Sequence, residues 1–175
     1  MAASTFYDLI RQVLHTELAH CTFFDLDGVL SVECCYNEPD VGSYQELVDY
    51  HQASAYWHHL HHGHPYLIPT RKVLGVVTGR MEFYRGPTQQ WLQRQGIWSL
   101  LPMQMSKHPR PGARPRREEP NNTAHEKAAA YAAVEAAELF VESKRWQARQ
   151  IYEITGKPVL CTHDLQLYGE WPRVI

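Results

Sequence analysis

The chain has 175 residues, a formal charge of −2, 44% hydrophobic and 21% charged residues, the size and balance of one globular domain able to bury roughly 70% of the surface its unfolded chain exposes. Bulk attraction to a polyanion is excluded by that charge, and no apolar run approaches the ~20 residues of a membrane helix. The start, MAASTFYDLIRQ, lacks a basic region leading into an apolar core, so no signal peptide and a cytoplasmic location are expected.

Residues 5–18 place Phe6, Leu9, Ile10, Val13, Leu14 and Leu18 on one helical face. The segment CTFFDL then reads as a short buried strand running into Asp25 and Asp27. Residues 43–62 read as a helix rich in aromatics and histidine, closed by Pro65 and Pro69. A second strand, VLGVV at 73–77, is expected to stop at Thr78-Gly79-Arg80. Residues 82–95 read as helix, and a third strand is expected near Leu100–Met105. The proline-rich, basic stretch KHPRPGARPRREEP, 107–120, reads as a surface loop. Residues 123–138, rich in alanine, read as helix with Thr123 as its cap. ELFVE, 138–142, is a fourth strand, 144–155 a helix ended by Gly156, and KPVLC, 157–161, a fifth strand.

Continuously apolar strands alternating with helices imply an α/β fold with a parallel sheet covered on both faces. Ligands of such sheets bind at the carboxyl ends of the strands. Asp25, Asp27, Thr78 and Glu142 all fall there. Two clustered carboxylates can divide a reaction between them, one attacking phosphorus and the other moving a proton. Their repulsion is relieved by a hard cation such as Mg²⁺, which prefers oxygen ligands, and Glu142 is the third acid for that ion. Thr78 and the backbone after it can donate to phosphate oxygens, and Lys127 can neutralise the transferring group. The four cysteines, Cys21, Cys34, Cys35 and Cys161, form no C-x-x-C pair and read as thiols of a reducing compartment.

FFDLDGVL, VLGVVTGR, HEK and LFVES follow one another in an order and spacing that resemble the haloacid dehalogenase (HAD) superfamily of phosphatases over residues 20–162. The resemblance implies a Rossmann-like three-layer domain, strand order 5-4-1-2-3, with a minimal cap at about 31–69. It implies Asp25 as nucleophile, Asp27 as acid/base, Thr78 as phosphate clamp and Lys127 as neutralising base. Asp25, Glu142 and the backbone carbonyl of Asp27 would hold Mg²⁺. TGRMEFYRGPTQQWL is similar to a stretch of polynucleotide-kinase-type 3'-phosphatases; Gly79, Arg80 and Arg85, after the second motif, read as candidate substrate contacts, with surface ion pairs the equal alternative for the two arginines. ELFVESKRWQARQIYEITGKPVLC is similar to the ending of small bacterial and phage HAD proteins. The fourth motif carries one acid, Glu142, where many members carry two; Ser143 or water could fill the place, and Asp164 is a more distant acid.

The expected partner is a phosphorylated small molecule or nucleotide, and the expected substrate a nucleotide or a nucleic-acid 3'-phosphate. A phosphosugar phosphatase and a non-catalytic binding protein are the alternatives. WHHLHHGH, 57–64, brings His58 and His62 to an i, i+4 spacing that could serve a metal, but reads better as part of a cap lining the entrance. Trp91 with Leu92 reads as core.

Overall fold

A computed structural model describes residues 5–32, 58–106 and 123–172. The elements are α1 Phe6–His15, β1 Thr22–Phe24, β2 Gly75–Met81, α2 Arg85–Arg94, β3 Gln104–Ser106, α3 Thr123–Ala132, β4 Leu139–Glu142, α4 Arg145–Thr155, β5 Val159–Cys161 and β6 Gln166–Tyr168. They form one six-stranded sheet in the order β3-β2-β1-β4-β5-β6. The first five strands are parallel and stand in the expected 5-4-1-2-3 arrangement. β6 pairs antiparallel with β5, Leu160 opposite Leu167, so the sheet is mixed, not purely parallel. Leu165, in the turn between them, takes a left-handed φ of 56° and returns the chain as a hairpin.

Pleating sends consecutive side chains to opposite faces, and this alternation builds the three layers. Phe24, Val76, Val141 and Leu160 pack with Ile10, Val13 and Leu14 of α1 and Trp91 of α2. Phe23, Val77, Phe140 and Val159 face the other way, onto Ala128 and Tyr131 of α3 and Ala148 and Ile151 of α4. β1 lies at the centre, with Phe23 aligned to Gly75 on one side and to Phe140 on the other.

Several boundaries differ from expectation for local reasons. α1 starts at a capping box in which Thr5 Oγ1 accepts the Asp8 amide and the Asp8 side chain accepts the Thr5 amide. It ends at His15, and a 3-10 turn, Glu17–Cys21, carries the chain into β1. β2 runs through Thr78-Gly79-Arg80 to Met81, because Met81 pairs with Ser106 beyond a register shift. Thr123 is itself helical, within α3 as described, not a cap before it. α3 stops at Ala132 although the following residues favour helix. Lys157 Nζ there donates to the carbonyls of Tyr131, Val134 and Ala137 at 3.3, 2.9 and 3.0 Å. An ammonium that satisfies three carbonyls outweighs the small propensity gain of further helical turns. α4 ends as expected at Gly156, φ 66°.

Residues 58–62 are helical. The rest of the helix expected at 43–62, most of the expected cap, and the basic loop 107–120 lie outside the described residues. Among the described residues no helix is long and apolar enough to cross a membrane.

Candidate active site

β1 ends at Phe24, and the Asp25 amide makes the last ladder bond, to Val141 O at 2.9 Å. A tight turn follows, with the amides of Val29, Leu30 and Ser31 all directed at Leu26 O. Gly28 sits in it at φ 80°, a conformation that a Cβ disfavours. The turn holds Asp25 and Asp27 at the carboxyl edge of the central strand.

Lys127, on α3, projects to the same edge and is buried. Its Nζ lies 2.9 Å from Asp25 Oδ2 and 2.7 Å from Glu142 Oε2 at the end of β4, and it donates to Gln147 Oε1 at 2.9 Å. Glu142 is wholly buried, and its Oε1 accepts the amides of Ser143 and Lys144 at 2.9 and 3.0 Å. It thus caps the start of α4, where Lys144 offers no side-chain cap of its own. Ser143 Oγ donates to the Asp27 carbonyl at 2.9 Å.

Asp27 is clamped from the β2 side. Arg80 Nε donates to Oδ2 at 2.8 Å and Nη2 to Oδ1 at 2.6 Å, while Nη1 reaches Thr88 Oγ1 at 3.2 Å. His59 Nε2 lies 3.1 Å from Asp27 Oδ1, and Ser31 Oγ donates to the same oxygen at 3.2 Å.

These surroundings separate the two aspartates electrostatically. Burial and then the Glu142 carboxylate push Asp25 well above the usual carboxylate range, against the pull of Lys127. Burial alone would also raise Asp27, but the Arg80 guanidinium, followed by His59, holds it well below that range. Burial would depress Lys127; the Asp25 and Glu142 carboxylates outweigh it and keep the ammonium charged.

Thr78 and Lys127 line a cavity of about 520 Å³ with Gln104, Met105, Thr123 and Glu126. Thr78 is buried and its Oγ1 accepts the Arg80 amide at 3.2 Å. Gly79 leaves room for Thr123, whose Cγ2 would lie 2.9 Å from an added Cβ. A second cavity of about 250 Å³, lined by residues including Gly28, Ser143 and Thr162, borders the Asp27 turn.

Asp25, Asp27, Arg80, Lys127 and Glu142 are therefore one connected cluster, with Thr78 beside it. Arg80 is spent on Asp27 inside the protein. Arg85 pairs with Glu82 and donates to Met103 O at 3.0 Å. Trp91 is core, its indole donating to Gly63 O at 2.7 Å. Asp164 accepts from Tyr168 OH at 2.7 Å at the β5–β6 hairpin. His59 and Gln147 are members that sequence reasoning missed. For Gln147 a signal existed, since it shares an apolar helix face with Ala148 and Ile151. One histidine among five within 58–64 gave none.

Three carboxylates face two permanent cations in this cluster. Asp25, Glu142 and the Asp27 carbonyl, the oxygens that could hold a hard cation, already take Lys127, the Ser143 and Lys144 amides and the Ser143 hydroxyl as partners. Among the described residues no three His, Cys, Asp or Glu side chains gather as a metal site.

No protein-family model matches the chain and no curated protein matches it. Among solved structures, a chain of the Pnkp1/Rnl/Hen1 complex is similar at 19% identity, with a TM-score of 0.45 over 86% of this chain and 47% of that one. A chain of the Pnkp1/Rnl/Hen1 RNA repair complex is similar at 19% identity, with a TM-score of 0.48 over 86% of this chain and 43% of that one. This chain thus spans less than half the length of either.

Proposed function

We propose that the protein hydrolyses phosphomonoesters with Mg²⁺ through an aspartyl-phosphate, an acyl phosphate formed on Asp25. The observation that carries this reading is the Asp25–Lys127–Glu142 contact beside the Arg80-clamped Asp27. Asp25 Oδ attacks phosphorus as the bond to the leaving oxygen breaks. Lys127 stabilises charge on the transferring group, and Thr78 contributes its hydroxyl to the phosphate side of the cavity. Asp27 is ionised in the free protein. As a carboxylate it can accept a proton from the water that cleaves the aspartyl-phosphate, although the Arg80 pair makes it a weaker base than a free aspartate. In the first step the proton for the leaving oxygen is brought by a singly protonated phosphate and relayed through Asp27. Bound at Asp25, Glu142 and the Asp27 carbonyl, Mg²⁺ would offset the surplus negative charge and polarise phosphoryl oxygens.

The substrate we favour is a nucleotide or a nucleic-acid 3'-phosphate. The TGRMEFYRGPTQQWL resemblance and the cations from Lys107 to Arg117 support it. A guide of that kind predicts hydrolysis of an oligonucleotide end that weakens as salt rises; a flat response would leave a phosphosugar or other small metabolite. The non-catalytic alternative is favoured by one observation: Glu142 already accepts from Lys127 and two backbone amides.

The test is phosphate release with Mg²⁺ from mononucleotides, phosphosugars and oligonucleotides bearing 3'- or 5'-phosphates, with Asp25→Asn alongside. Release by the wild type alone supports the covalent route. No release from a folded sample that also fails to bind Mg²⁺ moves the reading to a binding protein.

A further inference from the structure

The described limb that returns to β2, residues 58–67, is fastened to the turn after β1. Val32 N donates to His64 O at 2.9 Å, Tyr66 N to Leu30 O at 2.8 Å and Leu67 N to Val29 O at 3.0 Å. Those partners belong to the turn that carries Asp27. From the other side α2 holds the limb, through the Trp91 indole on Gly63 O at 2.7 Å and the Arg94 guanidinium on His61 O. The helical turn at 58–62 closes with Gly63 N on His59 O at 2.8 Å. Gly63 has no room for a side chain: a Cβ would lie 2.8 Å from His59 O and 3.2 Å from the His59 ring. The imidazole is thereby aimed at Asp27, and its side chain is 11% exposed.

We propose that His59 is a positioning residue for Asp27, so that the limb at 58–67 completes the catalytic centre. The inference rests on the hydrolase reading above. A carboxylate accepts only, so the hydrogen of this bond resides on His59 Nε2. Asp27 Oδ1 then takes three donors, Arg80 Nη2, His59 Nε2 and Ser31 Oγ. Among the described residues Oδ2 takes Arg80 Nε alone. Arg80 sets the plane of the carboxylate. His59 and Ser31 add two donors to Oδ1, so that this oxygen is held from three directions while Oδ2 keeps one. Two carboxylates that must act on one phosphorus tolerate little drift, since a misplacement of about 1 Å costs on the order of 100-fold in rate.

The experiment measures kcat and KM on the best substrate of the panel for wild type, His59→Phe and His59→Gln, with thermal melts to establish folding. Gln returns an amide N–H near the place of Nε2; Phe keeps the ring and removes the donor. The expected result for His59→Phe is a fall in kcat of about 10–100-fold with KM within about two-fold, the size seen when an orienting partner is lost. Gln should recover most of it. Wild-type kcat in His59→Phe, a change in KM alone, or a folded His59→Gln as slow as His59→Phe would overturn the inference and leave the hydrolase reading standing. Absence of turnover in the wild type would overturn both.

Discussion

Arg80 and Asp27, fifty-three residues apart in sequence, form a two-pronged ion pair at 2.8 and 2.6 Å with the arginine side chain almost wholly buried. A planar guanidinium matches a carboxylate edge to edge, and a lysine ammonium cannot. Arg80→Lys should therefore lower kcat by about 10–100-fold while the protein stays folded. Arg80→Leu should in addition cost about 3 kcal/mol in urea unfolding, because it strands a charge. Wild-type turnover in Arg80→Lys would show that the fork does not matter.

Lys127 lies between two carboxylates, so its removal should have a pH signature. Its raised proton affinity means that its contribution to stability is fully present below the unfolded lysine value of about 10.4 and is lost only above it. In Lys127→Met, Asp25 and Glu142 face one another without a cation, and the folded form gains by binding a proton. The stability deficit should therefore be larger at pH 8, about 3–5 kcal/mol, than at pH 5. Equal deficits at the two values, read from urea unfolding, would contradict the charge argument. Phosphate release should be lost at both.

Gly75 is the point where β2 crosses the Phe23 ring. A Cβ there would lie 2.9 Å from Phe23 Cδ1 and closer still to Cε1, and Phe23 is packed on every side. Gly75→Ala should destabilise by about 1–3 kcal/mol without changing kcat at temperatures well below the melt. A melting temperature equal to wild type would mean that β1 and β2 can separate at no cost.

Cys161 is buried in β5, its Sγ donating to Ser143 O at 3.6 Å, and burial pushes its thiol up to about 12. At pH 8 about one molecule in ten thousand would carry the thiolate at that value. Iodoacetamide at pH 8 should leave Cys161 unmodified in the native protein and alkylate it after denaturation, as followed by peptide mass spectrometry. Rapid native labelling would show that the β5 edge opens.

What could be read in advance is what local pattern encodes. Unbroken apolar runs bounded by turn residues disclosed β1, β2, β4 and β5. Their alternation with helices implied the layers, and Gly156 marked the end of α4. Asp25, Asp27 and Glu142 were legible because strand ends converge on one edge whatever the loops do, whereas Thr78 was expected past the end of β2 and lies within it. β6 escaped because QLY is too short and too mixed to stand out, and it becomes a strand only when β5 offers an unpaired edge. The last turns expected of α3 were lost to Lys157, an ammonium from the distant turn between α4 and β5.

The sequence by itself determined the order of elements, the apolar faces and the candidate acids, since these follow from side-chain periodicity and type along one stretch of chain. Only the tertiary structure decided the partners. It placed Arg80 on Asp27 rather than at the surface, gave Glu142 the double task of holding Lys127 and capping α4, and selected His59 from a run of histidines. Such choices depend on through-space distances of about 3 Å between groups far apart in sequence, and on burial, which makes an unpaired charge costly and so forces each one to find its counterpart.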